Sequence, residues 1–413
     1  MAENSSSPAS AEQVAANSDL LIEILIRLPV RSLRIFKSVS KQWLSIITSH
    51  FFALLRHPDS SIVSGLFLDI HSGIPFPELN FISLINTIKT PSHEHHPRFT
   101  NLAFFQGLSA YIRIIDSCHG LLLCCYGQNQ DDNPEPNYFI LNPTTKEFKI
   151  LPRCHISNLI CLSLAFDPSK SPYYKVVCVY MDFVPTFPAD SNHLIMTYSS
   201  ETCSWKASGL QFAAKFYTHY SAGVYWNGAV NWFNSQKCGE SVYYNVDDER
   251  LGNIPLPAIP KVDHQHFSRE YRHYGESRGH LNLVNHVEVY ARAPRVDVYE
   301  LWRDYSGWVL KFKVDLDSDE IPRHIASCAW DPRSAGLSLF SVLCVVRMER
   351  DEDSFLVLHV PGKLLRYTIG DGTSKEICDV PIPLRIPILG RRQTRLRYSW
   401  SRSFQYIESL FGV

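Results

Sequence analysis

A mainly β protein headed by a small α-helical module is what the sequence predicts, with the β part forming a propeller-like domain. Three observations carry this. From Ser18 to about His57 the apolar residues follow a helical period, whereas from about Ser61 onward the pattern is overwhelmingly β. One hairpin is explicit in Gly223-Val-Tyr-Trp-Asn-Gly-Ala-Val-Asn-Trp232, where Asn227-Gly228 supplies the two positive-φ positions of a type I′ turn. A looser unit of apolar strand, polar turn, second strand and proline recurs at Tyr138 to Pro152, Val242 to Pro255 and Leu364 to Pro381. Irregularly spaced copies of one unit point to radial repetition, which shelters strand edges without a strict period, in about six or seven degenerate blades. A pair of β-sandwiches is the alternative.

Taken in order, residues 1–17 are rich in Ser, Ala and Asn with hardly a large apolar residue, and predict a disordered tail. The helical module occupies residues 18–57. Asp19 is a plausible N-cap for its first helix, which Leu28-Pro29 ends because the residue before proline is pushed out of the α region. Pro29 suits the first turn of a second helix carrying Leu33, Phe36 and Val39. Ser40 caps a third with Trp43, Ile46 and Ile47 on its apolar side, and Phe51, Phe52, Leu54 and Leu55 add one more short turn. The β domain spans residues 61–413. Its polar stretches Gln128 to Pro136 and Pro260 to Gly279 read as long loops, the usual place for binding function on a rigid scaffold.

Composition narrows the function classes. The chain of 413 residues has room for two or three domains, and its formal net charge of -1 gives no global field toward nucleic acid or an acidic membrane. The N-terminus lacks a basic and an apolar signal region, and apolar runs such as Gly120 to Cys125 are too short to span a bilayer. The expected location is intracellular, in the nucleus and/or cytoplasm. Eleven cysteines, an odd number without a CxxC, with Cys124, Cys125, Cys161, Cys178 and Cys344 inside apolar runs, read as free thiols of a reducing compartment.

His93-Glu94-His95-His96 and the pair His264 and His266 lack a second ligand set at a recognised spacing, so no metal and no cofactor is expected. There is no GxSxG, HExxH, P-loop or dinucleotide fingerprint. The acidic pairs Asp131-Asp132 and Asp247-Asp248 lie in polar turns. Trp205, Trp226 and Trp232 read as blade core, and the basic run Arg391, Arg392, Arg395 and Arg397 as a solvated face with β-like alternation. Asn142 and Asp167, each before proline, suit tight Asx-type turns.

The first helix points to a partner. In Leu20-Leu-Ile-Glu-Ile-Leu-Ile-Arg-Leu28 the only polar residues are Glu23 and Arg27, four apart in the favourable acid-before-base order. A helix apolar over the rest of its girth must be covered by more than a forty-residue module supplies. Either the β domain covers it or another protein does.

The run from Asp19 to Ile47 closely resembles the F-box motif in the form common among plant F-box proteins. The match rests on the Leu28-Pro29 step, the Leu33, Phe36, Val39 spacing and Val39-Ser-Lys-Gln-Trp43. One departure is Ser18-Asp19, where the family carries Leu-Pro. The rest resembles that family's F-box-associated, kelch-like domain, through Ser117-Cys-His-Gly-Leu-Leu-Leu-Cys124, Leu141-Asn-Pro-Thr-Thr145, Leu164-Ala-Phe-Asp167 with Tyr174-Lys-Val-Val177, and Gln405-Tyr-Ile-Glu-Ser-Leu410. The resemblance implies a non-catalytic substrate-recognition subunit of an SCF-type ubiquitin ligase. Its implied partners are a Skp-family adaptor, through it cullin and RING subunits, and a target protein held by the β domain. Leu20, Leu21, Ile24, Leu25, Leu28, Pro29, Leu33, Phe36, Val39 and Trp43 would bind the adaptor or shape the module that does, some of them as internal core. Rival readings are an adaptor-bound scaffold outside a ligase and a propeller-fold enzyme with acids in its axial funnel.

Overall fold

The computed structural model describes residues 14, 17–60, 63–69, 79–84, 111–127, 136–154, 156, 158–181, 190–215, 223–234, 240–257, 271–287, 295–316, 340–380, 384–388, 391–395 and 402–413. The tail, the histidine pairs and clusters, Asp131-Asp132 and Arg397 fall almost wholly outside them. Four helices come first: α1 (Ser18–Leu25), α2 (Val30–Phe36), α3 (Lys41–Thr48) and α4 (His50–Ser60). The first helix is capped by Asn17, not Asp19. It begins at Ser18, and Asn17 Oδ1 accepts from Asp19 N at 3.0 Å and Leu20 N at 3.2 Å. Pro29 sits at the N-cap of α2, one place before its first turn, and Ser40 Oγ accepts from Trp43 N at 3.1 Å as expected of a cap. The last element is a full helix of 11 residues rather than one short turn.

The β domain is a six-bladed propeller, which decides against a sandwich pair. Blade 2 holds β3 (Tyr111–Cys118), β4 (Leu121–Gly127), β5 (Asn137–Asn142) and β6 (Glu147–Ile150). Blade 3 holds β7 (Leu159–Ala165), β8 (Lys175–Met181), β9 (Asp190–Ser199) and β10 (Ser204–Lys215). Blade 4 holds β11 (Val224–Trp226), β12 (Ala229–Trp232), β13 (Ser241–Asn245) and β14 (Arg250–Ile254). Blade 5 holds β15 (Tyr271–Ser277), β16 (His280–Val287), β17 (Arg295–Leu301) and β18 (Trp308–Asp315). Blade 6 holds β19 (Ser341–Val346), β20 (Phe355–Val360), β21 (Lys363–Thr368) and β22 (Ser374–Asp379), and a hairpin follows as β23 (Leu384–Ile388) and β24 (Arg391–Arg395). Blade 1 joins both ends of the domain. Its strands β1 (Gly65–Asp69) and β2 (Leu79–Ser83) pair with the late strand β25 (Ser403–Tyr406), in the register Gly65↔Tyr406 to Leu68↔Ser403. This seam leaves no open edge between first and last blade.

Each blade boundary has its own apolar layer. Ile195 and Val177 meet Val230, Trp232 and Tyr244 between blades 3 and 4. Trp226 and Ile254 meet Tyr274, Leu283 and Leu301 between blades 4 and 5, and Val298 meets Val345 and Leu358 between 5 and 6. Trp226 and Trp232 are thus core, as expected. Half-buried Trp205 serves otherwise: its Nε1 donates to Pro152 O at 2.8 Å, and Trp308 Nε1 donates likewise to Pro255 O at 2.7 Å. The proline closing one blade's outer strand is thereby latched by a tryptophan of the next.

The stretch Pro260 to Gly279 is not one long loop, because β15 runs through it. Tyr-Arg-His-Tyr-Gly-Glu-Ser looks polar because an innermost strand lines the axis as well as a core. Cys124, Cys161, Cys178 and Cys344 are buried free thiols, while Cys125 is half-buried. Among the described residues no helix is long and apolar enough to cross a membrane.

Candidate docking face and axial cavity

The girth of α1 is divided by its neighbours. Leu25 is buried in one cluster with Val30, Leu33, Ile47 and Phe52, which Leu410 from the other end of the chain joins, and Leu21 is buried one turn before Leu25. Leu20 and Ile24, also one turn apart, stay 46% and 47% exposed. Ile35 on α2, Val39 after it, Leu44 on α3 and Phe51 on α4 are exposed too. Glu23 and Arg27 face solvent at 3.4 Å, a pair worth about 0.3–0.5 kcal/mol. Single exposed apolar residues are ordinary, but one or more in every helix of so small a module marks an interaction surface.

The ten residues expected to dock therefore separate. Leu21, Leu25 and Leu33 are internal core. Leu28, Phe36 and Trp43 are half-buried, the last two meeting edge to face at 5.3 Å. Leu20, Ile24, Pro29 and Val39 are exposed. Sequence reading omitted Ile35, Leu44 and Phe51, since an apolar residue in an apolar helix carries no mark of its side. It also omitted Arg56, whose Nη1 donates to Ile26 O at 2.5 Å and Leu28 O at 2.7 Å. That guanidinium satisfies the last carbonyls of α1 and fixes the Leu28-Pro29 corner.

The module is fastened to the propeller by the strap that follows β25. Asn142 makes the expected Asx-turn, its Oδ1 accepting from Thr144 N at 2.8 Å. Its amide does more: Nδ2 donates to Ser409 O at 3.0 Å and to Phe411 O at 2.7 Å. Thr144 Oγ1 lies 2.8 Å from Tyr406 Oη and accepts from Ser409 N at 3.1 Å. Gly120, at φ 86, lets the strap pass so close that a Cβ would lie 2.4 Å from that of Ser409. Beyond these contacts Leu410 enters the helical core, and Phe411 meets His50 of α4 at 5.8 Å and Phe166 at 5.5 Å.

A second concavity, of about 130 Å³, lies where the innermost strands converge. Asp116 Oδ2 accepts from Leu164 N of blade 3 at 2.7 Å and Oδ1 from Ser117 N at 2.8 Å, yet burial pushes its pKa up to about 8. Burial likewise raises Glu276 to about 7, although its Oε1 accepts from Gly279 N at 2.5 Å, and lowers His273 to about 4. Cys118 also lines the cavity. Its thiol donates to Phe166 O at 3.3 Å, and burial raises its pKa, the opposite of an activated nucleophile. Both oxygens of Asp116 are occupied in joining two blades, so its arrangement is that of a staple.

Comparison with known proteins agrees with this anatomy. Residues 17–54 match the F-box domain family, and residues 72–302 match the family described as F-box associated beta propeller domain. F-box protein At5g07610 of Arabidopsis thaliana is 32% identical over 98% of this chain and 94% of its own length. F-box protein At5g49610 of the same plant is 24% identical over 68% of this chain and 75% of its own. The chain therefore belongs to the F-box proteins that carry an F-box associated β-propeller domain.

Proposed function

We propose that this chain is the substrate-recognition subunit of an SCF-type (Skp-cullin-F-box) ubiquitin ligase, working in the nucleus and/or cytoplasm. The exposed residues Leu20, Ile24, Pro29 and Val39, joined by Ile35 and Leu44, meet a Skp-family adaptor, while the buried side of the same helices is committed to the module's core and to Leu410. The observation that carries this reading is that division of α1, since a partner takes the apolar surface the fold leaves uncovered.

Position supports the second half. The helical module contacts the propeller near the tight turns His119-Gly120, 143–146 and 200–203, whereas the strand ends joined by the long connections 84–110, 255–270 and 316–340 lie at the opposite rim. A target held at that rim is kept at a fixed orientation to the adaptor, and ubiquitin transfer becomes effectively intramolecular. The chain supplies no chemistry itself, in keeping with an axial carboxylate already occupied by backbone donors. Reconstitution with adaptor, cullin and RING subunits tests the ligase role. Ubiquitination of a protein captured by the propeller is expected; capture and assembly without ubiquitination would favour the scaffold reading instead.

A further inference from the structure

A cavity of about 290 Å³ lies where the helical module meets the propeller. His50 and Ala53 of α4 form one wall, Lys149 of β6 and Pro172 and Tyr174 before β8 form another, and Phe411 of the strap closes it. A site walled by two domains, mostly apolar with a few polar groups, has the usual make-up of a small-molecule pocket.

Two of its polar groups lack a fitting acceptor. The Tyr174 hydroxyl has no hydrogen-bond partner although the residue is only 1% exposed. A buried hydroxyl left unmet costs about 1–3 kcal/mol. Burial also pushes its pKa up, so it remains a donor at neutral pH. Lys149 Nζ is directed at Cys203 Sγ, 3.3 Å away, a far weaker acceptor than a carboxylate. A donor hydroxyl and an ammonium beside one apolar cavity are complementary to an anion, not to a cation or a hydrocarbon.

We propose that this junction binds a small molecule carrying an oxyanion on an apolar body. The oxyanion accepts from Lys149 Nζ and the Tyr174 hydroxyl, and the apolar part lies against Ala53, Pro172 and Phe411. Because the walls belong to both domains, occupancy stabilises the docked arrangement of module and propeller, and it does so whether or not the ligase reading holds.

The test uses the full chain with benzoate, inorganic sulfate and neutral benzamide, read by calorimetry and by thermal unfolding. Benzoate is expected to bind saturably and raise the unfolding temperature, sulfate to bind more weakly and benzamide not to bind. Tyr174→Phe should weaken benzoate by about tenfold or more, the worth of a hydrogen bond to a charged group, and Lys149→Met should do the same. Without ligand, Tyr174→Phe should unfold at the wild-type temperature or above, since the lost hydroxyl had no partner. The proposal is overturned if neither anion binds saturably, if benzamide matches benzoate, or if both variants bind benzoate like wild type. A lower ligand-free unfolding temperature for Tyr174→Phe would also overturn it, by showing that ordered water already satisfies the hydroxyl.

Discussion

Asp116 and Glu276 are buried carboxyls on the innermost strands of blades 2 and 5, and burial decides how the fold responds to pH. Their folded-state pKa values, about 8 and about 7, lie above those of an unfolded chain, so the unfolded chain gives up these protons first. Stability from the two groups is full below about pH 4 and is lost as pH rises through about 7 to 8. Urea unfolding at pH 5, 6.5 and 8 should show falling stability across that interval, with a shallower fall in Glu276→Gln, whose amide oxygen still accepts from Gly279 N. An unchanged slope in that variant would mean that Glu276 is ionised throughout. Little of this was readable beforehand. Asp116 stands in a run, Ile114-Ile-Asp-Ser-Cys118, that gives no sign of a side chain reaching Leu164 N in the next blade. The docking residues show the same limit: spacing marked Leu21 and Ile24 alike as apolar helix, and only packing made one core and the other surface.

At the scale of elements, the recurring strand-turn-strand-proline unit proves to be the outer pair of strands in blades 2, 4 and 6. The hairpin at Asn227-Gly228 folds as read, with φ 53 and 77 at the two central residues. Gly228→Ala should cost about 1–2 kcal/mol by forcing a side chain into the left-handed region, although no rigid neighbour blocks the added methyl. Chemical denaturation checks it. Blades 3 and 5 escaped the pattern because their outer turns place Cys203 (φ 52) and Tyr305 (φ 60) where blade 6 places Gly372 (φ 66). Non-glycine residues are uncommon in that region, so composition hides a turn that geometry repeats. The tryptophan latches were invisible for a different reason, since each reaches a backbone carbonyl of another blade. Trp308→Phe removes the donor to Pro255 O and should lower stability by about 1 kcal/mol or more, again read by denaturation.

For the whole molecule, residues 403–413 close the ring and carry the helical module. Asn142→Ala removes two hydrogen bonds to Ser409 O and Phe411 O together with an Asx-turn, and should destabilise the fold by about 1–3 kcal/mol. Hydrogen exchange should accelerate in the strap and in α4 ahead of the blades; uniform acceleration would show that the strap does not hold the module separately. Two-domain order and the propeller class were legible because helical and strand periods differ so sharply across Ser61. The closure of blade 1 by β25 was not, since pairing residue 65 with residue 406 is a property of the ring. Docking on an adaptor is the claim on which the functional reading depends most. Calorimetric titration of a purified Skp-family adaptor into the chain tests it directly, comparing wild type with Ile24→Asp, Val39→Asp. Saturable binding by wild type and loss of about tenfold or more in the double variant at an unchanged unfolding temperature is the predicted result, because exposed substitutions cost the fold little. No binding by wild type, or equal binding by the folded variant, would contradict it.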